Sequence, residues 1–263
     1  MTNQFTSGLD ALNALTATND GGSSRSEITS LSGATFKVKV IDKTAVQMVF
    51  AYGIHAKSNN GRGVNSFIAS TPSDKSKNGY PVENYTPWDL AWKYHKDRSE
   101  HYQDAEASEA NKYRAKQRFV MAFYDLTAGK PVLFDLSKNQ ALAVAATITE
   151  YNDELGELAF EIKKIGEGTK TTAVLTPIIN MAKKLTPEEI ANFESAPSEF
   201  PPKLFDGIWF EKSNDEMIAL LTQAGFDISL IGLTVPAAPN KPIEGDFTPS
   251  DKPLDVDEDT LPF

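Results

Sequence analysis

The chain has 263 residues, of which 40% are hydrophobic and 10% aromatic, enough to bury a substantial core. It contains no cysteine, which excludes disulfides and cysteine-ligated zinc, and its three histidines are too scattered to predict a metal site. No segment approaches the roughly 20 apolar residues of a membrane helix and no secretory signal is recognisable, so a cytoplasmic protein without a membrane partner is expected.

The net charge of −10 is distributed unevenly along the chain. Residues 241–263 contain seven acids and two lysines, whereas residues 35–77 contain seven cations and two acids. Salt confines the influence of each charge to about 8 Å, so a protein that is acidic overall can still present a positive groove. The composition is therefore compatible with a polyanionic ligand.

The N-terminal third predicts a flexible arm followed by strands. Residues 1–32 are rich in Ser, Thr, Asn and Gly and are expected to form the arm. Apolar and basic residues alternate in 34–42, which indicates a half-buried strand. The segments 45–57 and 64–70 are further strand candidates, joined by the glycine-rich hairpin turn 58–63.

The middle of the chain predicts helices and a hairpin. Thr86 precedes Pro-Trp-Asp, a typical helix start, and the helix is expected to run to about Arg114. The segments 118–126 and 131–136 are predicted to pair as a β-hairpin around a short turn. A second helix, capped by Ser137, is predicted over 138–151.

The C-terminal third predicts one more hairpin, formed by 157–165 and 171–179, and a short helix around 214–224. From residue 236 onward the chain is acidic and rich in proline, and it is not expected to fold.

Three strands, a helix and two further strands follow the order of an OB-fold, a five-stranded, partly open barrel. The predicted fold class is therefore mainly β with a helical insertion: an OB-fold core over 33–235, in which residues from about 71 to 136 form an inserted helical and hairpin subdomain. The arm 1–32 and the acidic tail 236–263 would flank this core.

The end of the tail has a pattern suited to partner docking. Four acids precede Leu-Pro-Phe, and an aromatic ring beside the terminal carboxylate can anchor in a basic-rimmed pocket. An acidic tail can also serve solubility alone, although a terminal phenylalanine does not favour that role. Without a partner, the same acids could occupy a positive groove of the protein itself and compete there with phosphates. The predicted partner-binding residues are Asp255, Asp257, Glu258, Asp259, Leu261, Pro262 and Phe263.

Basic and aromatic residues interleave across the strands and the insertion, a combination typical of single-stranded DNA binding, in which cations follow phosphates and rings stack on bases. Trp88 and Trp92 recur at helical spacing, which favours packing in the core over stacking on bases. Each of the selected cations could equally be ordinary solvated surface. The predicted binding residues are Lys37, Lys39, Lys57, Arg62, Tyr80, Tyr85, Tyr94, Arg114, Lys116, Arg118, Lys163, Lys164 and Lys170.

One enzymatic alternative comes from Asp135 followed by Glu161 and Lys163, which resemble the carboxylates and lysine of metal-dependent nucleases. Alternating charges on the solvent face of a strand produce the same pattern by chance, and Asp135 lacks the proline that usually precedes it. A non-catalytic protein without cofactor or metal is therefore the main prediction.

Several segments resemble the single-stranded DNA-binding proteins of large tailed phages. They are ATFKVKV, ENYTPWDLAWKYHKD, KYRAKQRFVMAFYDLTAGKPVLFDLSKNQ and FEIKKIGEGTKTTAVLTPI followed by LFDG, and the resemblance covers most of residues 33–232. The tail LDVDEDTLPF resembles the acidic tip of bacterial single-stranded DNA-binding proteins. The fold of the phage group is similar to that of the T-even helix-destabilising protein, an OB-fold with an inserted subdomain, but the absence of cysteine rules out the zinc site of that protein.

The resemblance implies a protein that coats single-stranded DNA without sequence preference during phage replication, recombination and repair, in the host cytoplasm. It also implies a tail that recruits replication or recombination proteins such as a polymerase, helicase or primase. A strand-annealing recombination mediator is the main alternative, and a protein-interaction module without DNA binding is another.

Overall fold

A computed structural model describes residues 28–166 and 170–235, which form a mixed α/β fold around a large, mostly antiparallel sheet. The strands are β1 (Ile28–Thr29), β2 (Thr35–Lys39), β3 (Val46–Ile54), β4 (Val64–Ala69), β5 (Asp74–Lys75), β6 (Pro81–Glu83), β7 (Lys116–Asp125), β8 (Lys130–Ser137), β9 (Phe160–Ile165), β10 (Thr172–Pro177) and β11 (Glu211–Lys212). The α-helices are α1 (Pro87–Lys96), α2 (Ala105–Tyr113), α3 (Lys138–Glu150), α4 (Met181–Lys184), α5 (Pro187–Ser195) and α6 (Asn214–Ala224).

β7 is the centre of the sheet, whose strand order is β10-β9-β2-β7-β3-β4-β11. One edge of β7 pairs with β8, and its other edge is long enough to pair first with β3 and then with β2. β1 adds to the outer edge of β8, and β5 and β6 form a separate hairpin. Within the described residues this pairing does not close a barrel, so the predicted OB-fold is not confirmed.

The structure also places two predicted regions differently from the sequence-based division. β7 and nearly all of β8 fall within the predicted insertion, yet β7 lies at the middle of the sheet, where it joins β2 to β3, and β8 pairs along β7. Ile28 and Leu31 fall within the predicted arm, yet Ile28 packs in an apolar cluster and Leu31 is buried. The remainder of the predicted arm, residues 1–27, lies outside the described residues.

Most local elements agree with their sequence signals. The hairpin of β7 and β8 and the hairpin of β9 and β10 are both present. Thr86 and Ser137 form capping boxes at the starts of α1 and α3, and α6 begins and ends where it was predicted. These elements form from hydrogen bonds and apolar contacts between residues close in sequence.

The predicted long helix ending near Arg114 is wrong, because the segment forms two helices. α1 ends at Lys96, and the carboxylate of Asp104 caps α2 by accepting from the Ala107 amide at 2.6 Å. Hydrogen bonds from the backbone of His101 and Ala107 lower the pKa of Asp104 to about 2. The two helices pack against each other, so that Trp88, Ala110 and Tyr113 share one core.

Helices cover the front face of the sheet at two separate places. α1, α2 and α6 pack on β3 and β4 around Trp88, and α3 packs on β2, β7, β8, β9 and β10 around Phe134. The back face is covered by residues 181–209, including α5. In the part of the chain that the structure describes, no helix has both the length and the apolar character needed to cross a membrane.

Candidate nucleic-acid interface

A strip of apolar side chains lies on the front face between the two helical layers. Met48 pairs with Phe119 across β3 and β7, Phe50 pairs with Gln117, and Val46 precedes Met48 on the same face. Met48 is 47% exposed and Val46 is 42% exposed, although both belong to the sheet. Phe50 packs against the cluster around Trp88, and Phe119 packs against the cluster around Phe134. The four apolar residues of this face span the gap between the clusters, and we call them the apolar strip: Val46, Met48, Phe50 and Phe119.

The hairpin of β5 and β6 forms one rim of the apolar strip. Gly79 lies against the ring of Phe50, where a Cβ atom would come within 2.8 Å of Phe50 Cε1, and its φ of +79° also favours glycine. The next residue, Tyr80, is 40% exposed, and its ring centroid lies 5.9 Å from that of Trp92. The hairpin thus holds an aromatic ring beside the strip.

Arg114 connects this rim to the start of β7. Its guanidinium carbon lies 5.3 Å from the centroid of the Tyr80 ring, and its Nη1 donates a hydrogen bond to the Tyr80 hydroxyl at 3.2 Å. Lys116 and Arg118 follow at alternate positions, opposite Ala51 and Val49, and therefore leave the sheet on its back face. We call residues 114–118 the basic segment; its residue Gln117 lies on the front face, opposite Phe50 of the apolar strip.

Arg118 and Lys116 differ in their partners. Arg118 is buried and forms a bidentate ion pair with Asp135 on β8, with Nε–Oδ1 and Nη2–Oδ2 distances of 2.9 Å. Burial, together with the charges of Arg114 and Arg118, lowers the pKa of Lys116 to about 8. The basic segment therefore combines an arginine whose charge Asp135 compensates with a lysine whose pKa is lowered.

A buried polar cluster anchors the rim hairpin to α1. Asp89 is fully buried and accepts hydrogen bonds from Tyr52 at 3.0 Å, from Ser73 at 2.5 Å and from the cap residue Thr86. Lys75 of β5 completes the cluster with an Nζ–Oδ1 distance of 3.1 Å. Burial lowers the pKa of Lys75, although the negative charge of Asp89 acts in the opposite direction and favours the charged lysine. Burial raises the pKa of Tyr52 well above its usual range.

The other predicted tyrosines are less available than Tyr80. Tyr94 is half-buried, and the guanidinium of Arg98 lies 3.4 Å from its ring centroid, with Phe226 at its edge. Tyr85 is half-buried against the cluster around Trp88. Trp88 itself is fully buried and donates from Nε1 to the Met217 carbonyl, so it is a packing residue.

Two predicted lysines of β2 are engaged by α5 on the back face. Lys37 Nζ lies 2.7 Å from Glu189 Oε2, and Lys39 Nζ donates to the Phe193 carbonyl at 2.9 Å. Burial lowers the pKa of Lys39. Burial alone would raise the pKa of Glu189. Hydrogen bonds from Lys37, from the Thr186 backbone and from Thr127 outweigh burial and lower the pKa below its usual value. We therefore leave both lysines out of the candidate interface.

The remaining predicted cations lie in two other places. Lys57 and Arg62 are exposed in the connection between β3 and β4, where the Arg62 side chain rests against Gly225 at the end of α6. Lys163 and Lys164 project from opposite faces of β9, which β2 separates from β7, and Lys170 is exposed before β10. The structure thus brings Tyr80 together with the basic segment only.

The residues of the nuclease alternative are not brought together. Asp135 lies on β8 in its ion pair with Arg118, and Glu161 lies on β9 opposite Lys37 of β2. β7 and β2 separate the two carboxylates. In residues 28–166 and 170–235 no group of three His, Cys, Asp or Glu side chains could hold a metal ion.

Sequence reasoning missed three parts of this arrangement. The apolar strip was not predicted, because β3 carries apolar residues on both faces. The sequence therefore does not indicate which face of the strand remains exposed to solvent. The ion pair of Arg118 with Asp135 was also not predicted, because it depends on the pairing of β7 with β8, which the sequence does not show. α5 has a readable signal, a capping box formed by Thr186 and Glu189 with a proline between them. The predicted tail residues, from Asp255 to Phe263, lie outside the described residues.

Comparison with known proteins finds no matching family model, no similar curated protein and no similar solved structure.

Proposed function

We propose that this protein binds single-stranded DNA, without sequence preference and without catalysis, along the apolar strip and its rim of Tyr80 and Arg114. The observation that carries the proposal is the exposure of Met48 and Val46 on the face of the sheet where Gly79, next to Tyr80, contacts Phe50. Apolar and aromatic surfaces favour the faces of unpaired bases, and the guanidinium of Arg114, held at the rim by Tyr80, favours the phosphates. A duplex hides its base faces, so this combination favours a single strand.

The remaining elements of the proposal concern the fold, the tail and the cellular setting. We infer a distant relation to the OB-fold, supported by α3 preceding the hairpin of β9 and β10, although β7 lies between β2 and β3. The acidic tail would recruit replication or recombination proteins, supported by its seven acids in residues 241–263 and by the Leu-Pro-Phe that follows four of them closely. The setting would be the cytoplasm of a phage-infected host.

The first test measures binding of fluorescent oligo-dT and of a duplex of equal length by anisotropy, at low salt and at increasing salt. We expect binding of the single strand to be tighter and to weaken steeply with salt. Equal affinity for both forms, or no binding of oligo-dT at low salt, would contradict the proposal. Faster pairing of complementary strands would instead favour the annealing mediator.

A second test asks whether the apolar strip is the contact surface. Met48→Ser removes an exposed apolar side chain, so folding should be little affected while oligo-dT binding weakens several-fold. Leu230→Ser is the matched control, because Leu230 is 50% exposed but lies outside the strip. Equal effects of the two variants on affinity would exclude the strip as the site of base contact.

A further inference from the structure

Gln117 places a carboxamide beside the apolar strip, on the front face of β7. It pairs with Phe50 of β3, and the next residue of β7 on the same face is Phe119. The rim hairpin also comes close, because a Cβ atom at Gly79 would lie 3.8 Å from Gln117 Nε2. The carboxamide is therefore surrounded by two rings of the strip and by the hairpin that carries Tyr80.

The side chain of Gln117 has no hydrogen-bond partner among the residues that the structure describes, 28–166 and 170–235. Gln140, by contrast, accepts a hydrogen bond from the Ser137 amide in a capping box. Gln117 is half-buried, so its amide remains within reach of solvent and of a ligand on the strip. A ligand that covers the strip would remove this water, and the carboxamide would then need a donor and an acceptor from the ligand itself.

The exposed part of the apolar strip lies diagonally across from Gln117. Met48 pairs with Phe119, which lies two residues after Gln117, and such diagonal neighbours on adjacent strands are about 7–8 Å apart. A base that covers Met48 with its face would therefore bring one edge to the carboxamide. Arg114, at the rim, remains available to the phosphates.

We propose that Gln117 forms hydrogen bonds with the Watson–Crick edge of an unpaired base whose face lies on the apolar strip. The inference rests on the proposed function and adds a base-edge contact to it. A carboxamide carries a donor and an acceptor side by side, and the Watson–Crick edge of each of the four bases also presents a donor next to an acceptor.

The chemistry of the carboxamide agrees with binding that is independent of sequence. Rotation of the amide by 180° exchanges its donor and its acceptor, so the side chain can match either order of these groups on a base. A duplex cannot make the contact, because its Watson–Crick edges are already paired with each other. Gln117 would therefore favour a single strand over a duplex without selecting one base.

Fluorescence anisotropy of the full chain with oligo-dT, and with an oligomer of N3-methylthymidine of equal length, tests the contact. Methylation at N3 removes the donor of the thymine edge but keeps the ring face and the phosphates. We expect the methylated strand to bind about 2- to 10-fold more weakly, the factor that corresponds to the net contribution of one hydrogen bond.

Two variants assign this preference to the carboxamide. In Gln117→Met, which keeps the length of the side chain but removes its donor and acceptor, the two strands should bind equally. Gln223→Met is the matched control, because Gln223 is exposed on α6 and lies outside the strip, and it should retain the preference for oligo-dT. Circular dichroism of each variant verifies that it is folded.

The outcomes separate this inference from the proposed function. Equal binding of the two strands by the unsubstituted protein would overturn the base-edge contact and leave the function standing. The same conclusion follows if Gln117→Met keeps the full preference for oligo-dT over the methylated strand. No binding of oligo-dT at low salt would overturn both.

Discussion

The buried ion pair of Asp89 and Lys75 is predicted to anchor the rim hairpin, and its contribution can be measured as a change in the free energy of unfolding. Asp89→Asn keeps the size of the side chain but removes the charge that compensates Lys75, whose side chain is only 9% exposed. Removing one partner of a buried ion pair destabilises a protein by about 3–5 kcal/mol, because the other charge remains buried without compensation. We expect a loss of that size in the free energy of unfolding.

The partner substitution should be milder. In Lys75→Met the carboxylate of Asp89 keeps the hydroxyls of Tyr52, Ser73 and Thr86 as donors, so we expect a loss of about 1–3 kcal/mol. The double variant should lose less than the sum of the two single losses, with a coupling of about 1–3 kcal/mol. Because Lys75 belongs to the hairpin that carries Tyr80, Lys75→Met should also weaken binding of oligo-dT.

Urea unfolding at pH 7, followed by circular dichroism, gives the free energies for the cycle. Asp97→Asn is the control, because its exposed pair with Lys93 contributes only about 0.3–0.5 kcal/mol. A loss below about 1 kcal/mol in Asp89→Asn, or strictly additive losses in the double variant, would refute the idea that a buried ion pair anchors the hairpin.

Two further predictions concern the tail and pH. Removing residues 252–263 should tighten binding of oligo-dT, because four acids that compete with phosphates are lost, and should weaken pull-down of replication proteins. Unchanged or weaker DNA affinity would exclude competition by the tail. The pKa of Lys116 is lowered from 10.5 to about 8 in the folded protein. Between pH 8 and 10 the unfolded chain therefore binds more protons at this residue than the folded chain does. The free energy of unfolding should rise with pH in this range, by at most about 1.4 kcal/mol per pH unit. Thermal or urea unfolding across this range should show a smaller rise in Lys116→Met, and equal slopes in the two proteins would contradict the shift.

Elements that depend on nearby residues were predictable from the sequence. The capping boxes at Thr86 and Ser137 and the two long hairpins all follow from signals within a few positions of one another. The break between α1 and α2 was missed, because aromatic residues continue at helical spacing through the segment that the Asp104 cap interrupts. The hydrogen bond from the Ala107 amide to Asp104 starts a new helix there, although the aromatic residues keep helical spacing across the break.

The candidate site was only partly predictable. Tyr80, Arg114 and Lys116 were selected for their chemistry, and the structure groups them at one end of β7. Lys37 was selected on the same grounds, but its charge is compensated by Glu189, 152 residues away. Composition identifies cations that can bind phosphate, but it does not show which of them the protein has already paired.

By itself the sequence determined the local elements, the uneven distribution of charge and the residue types available to a nucleic acid, because these depend on neighbouring residues or on composition alone. The pairing of β7 with both β2 and β3 and the exposure of Met48 became visible only in the tertiary structure. Strand pairing and burial arise from contacts between segments far apart in the chain, and such contacts leave no periodic signal in either segment.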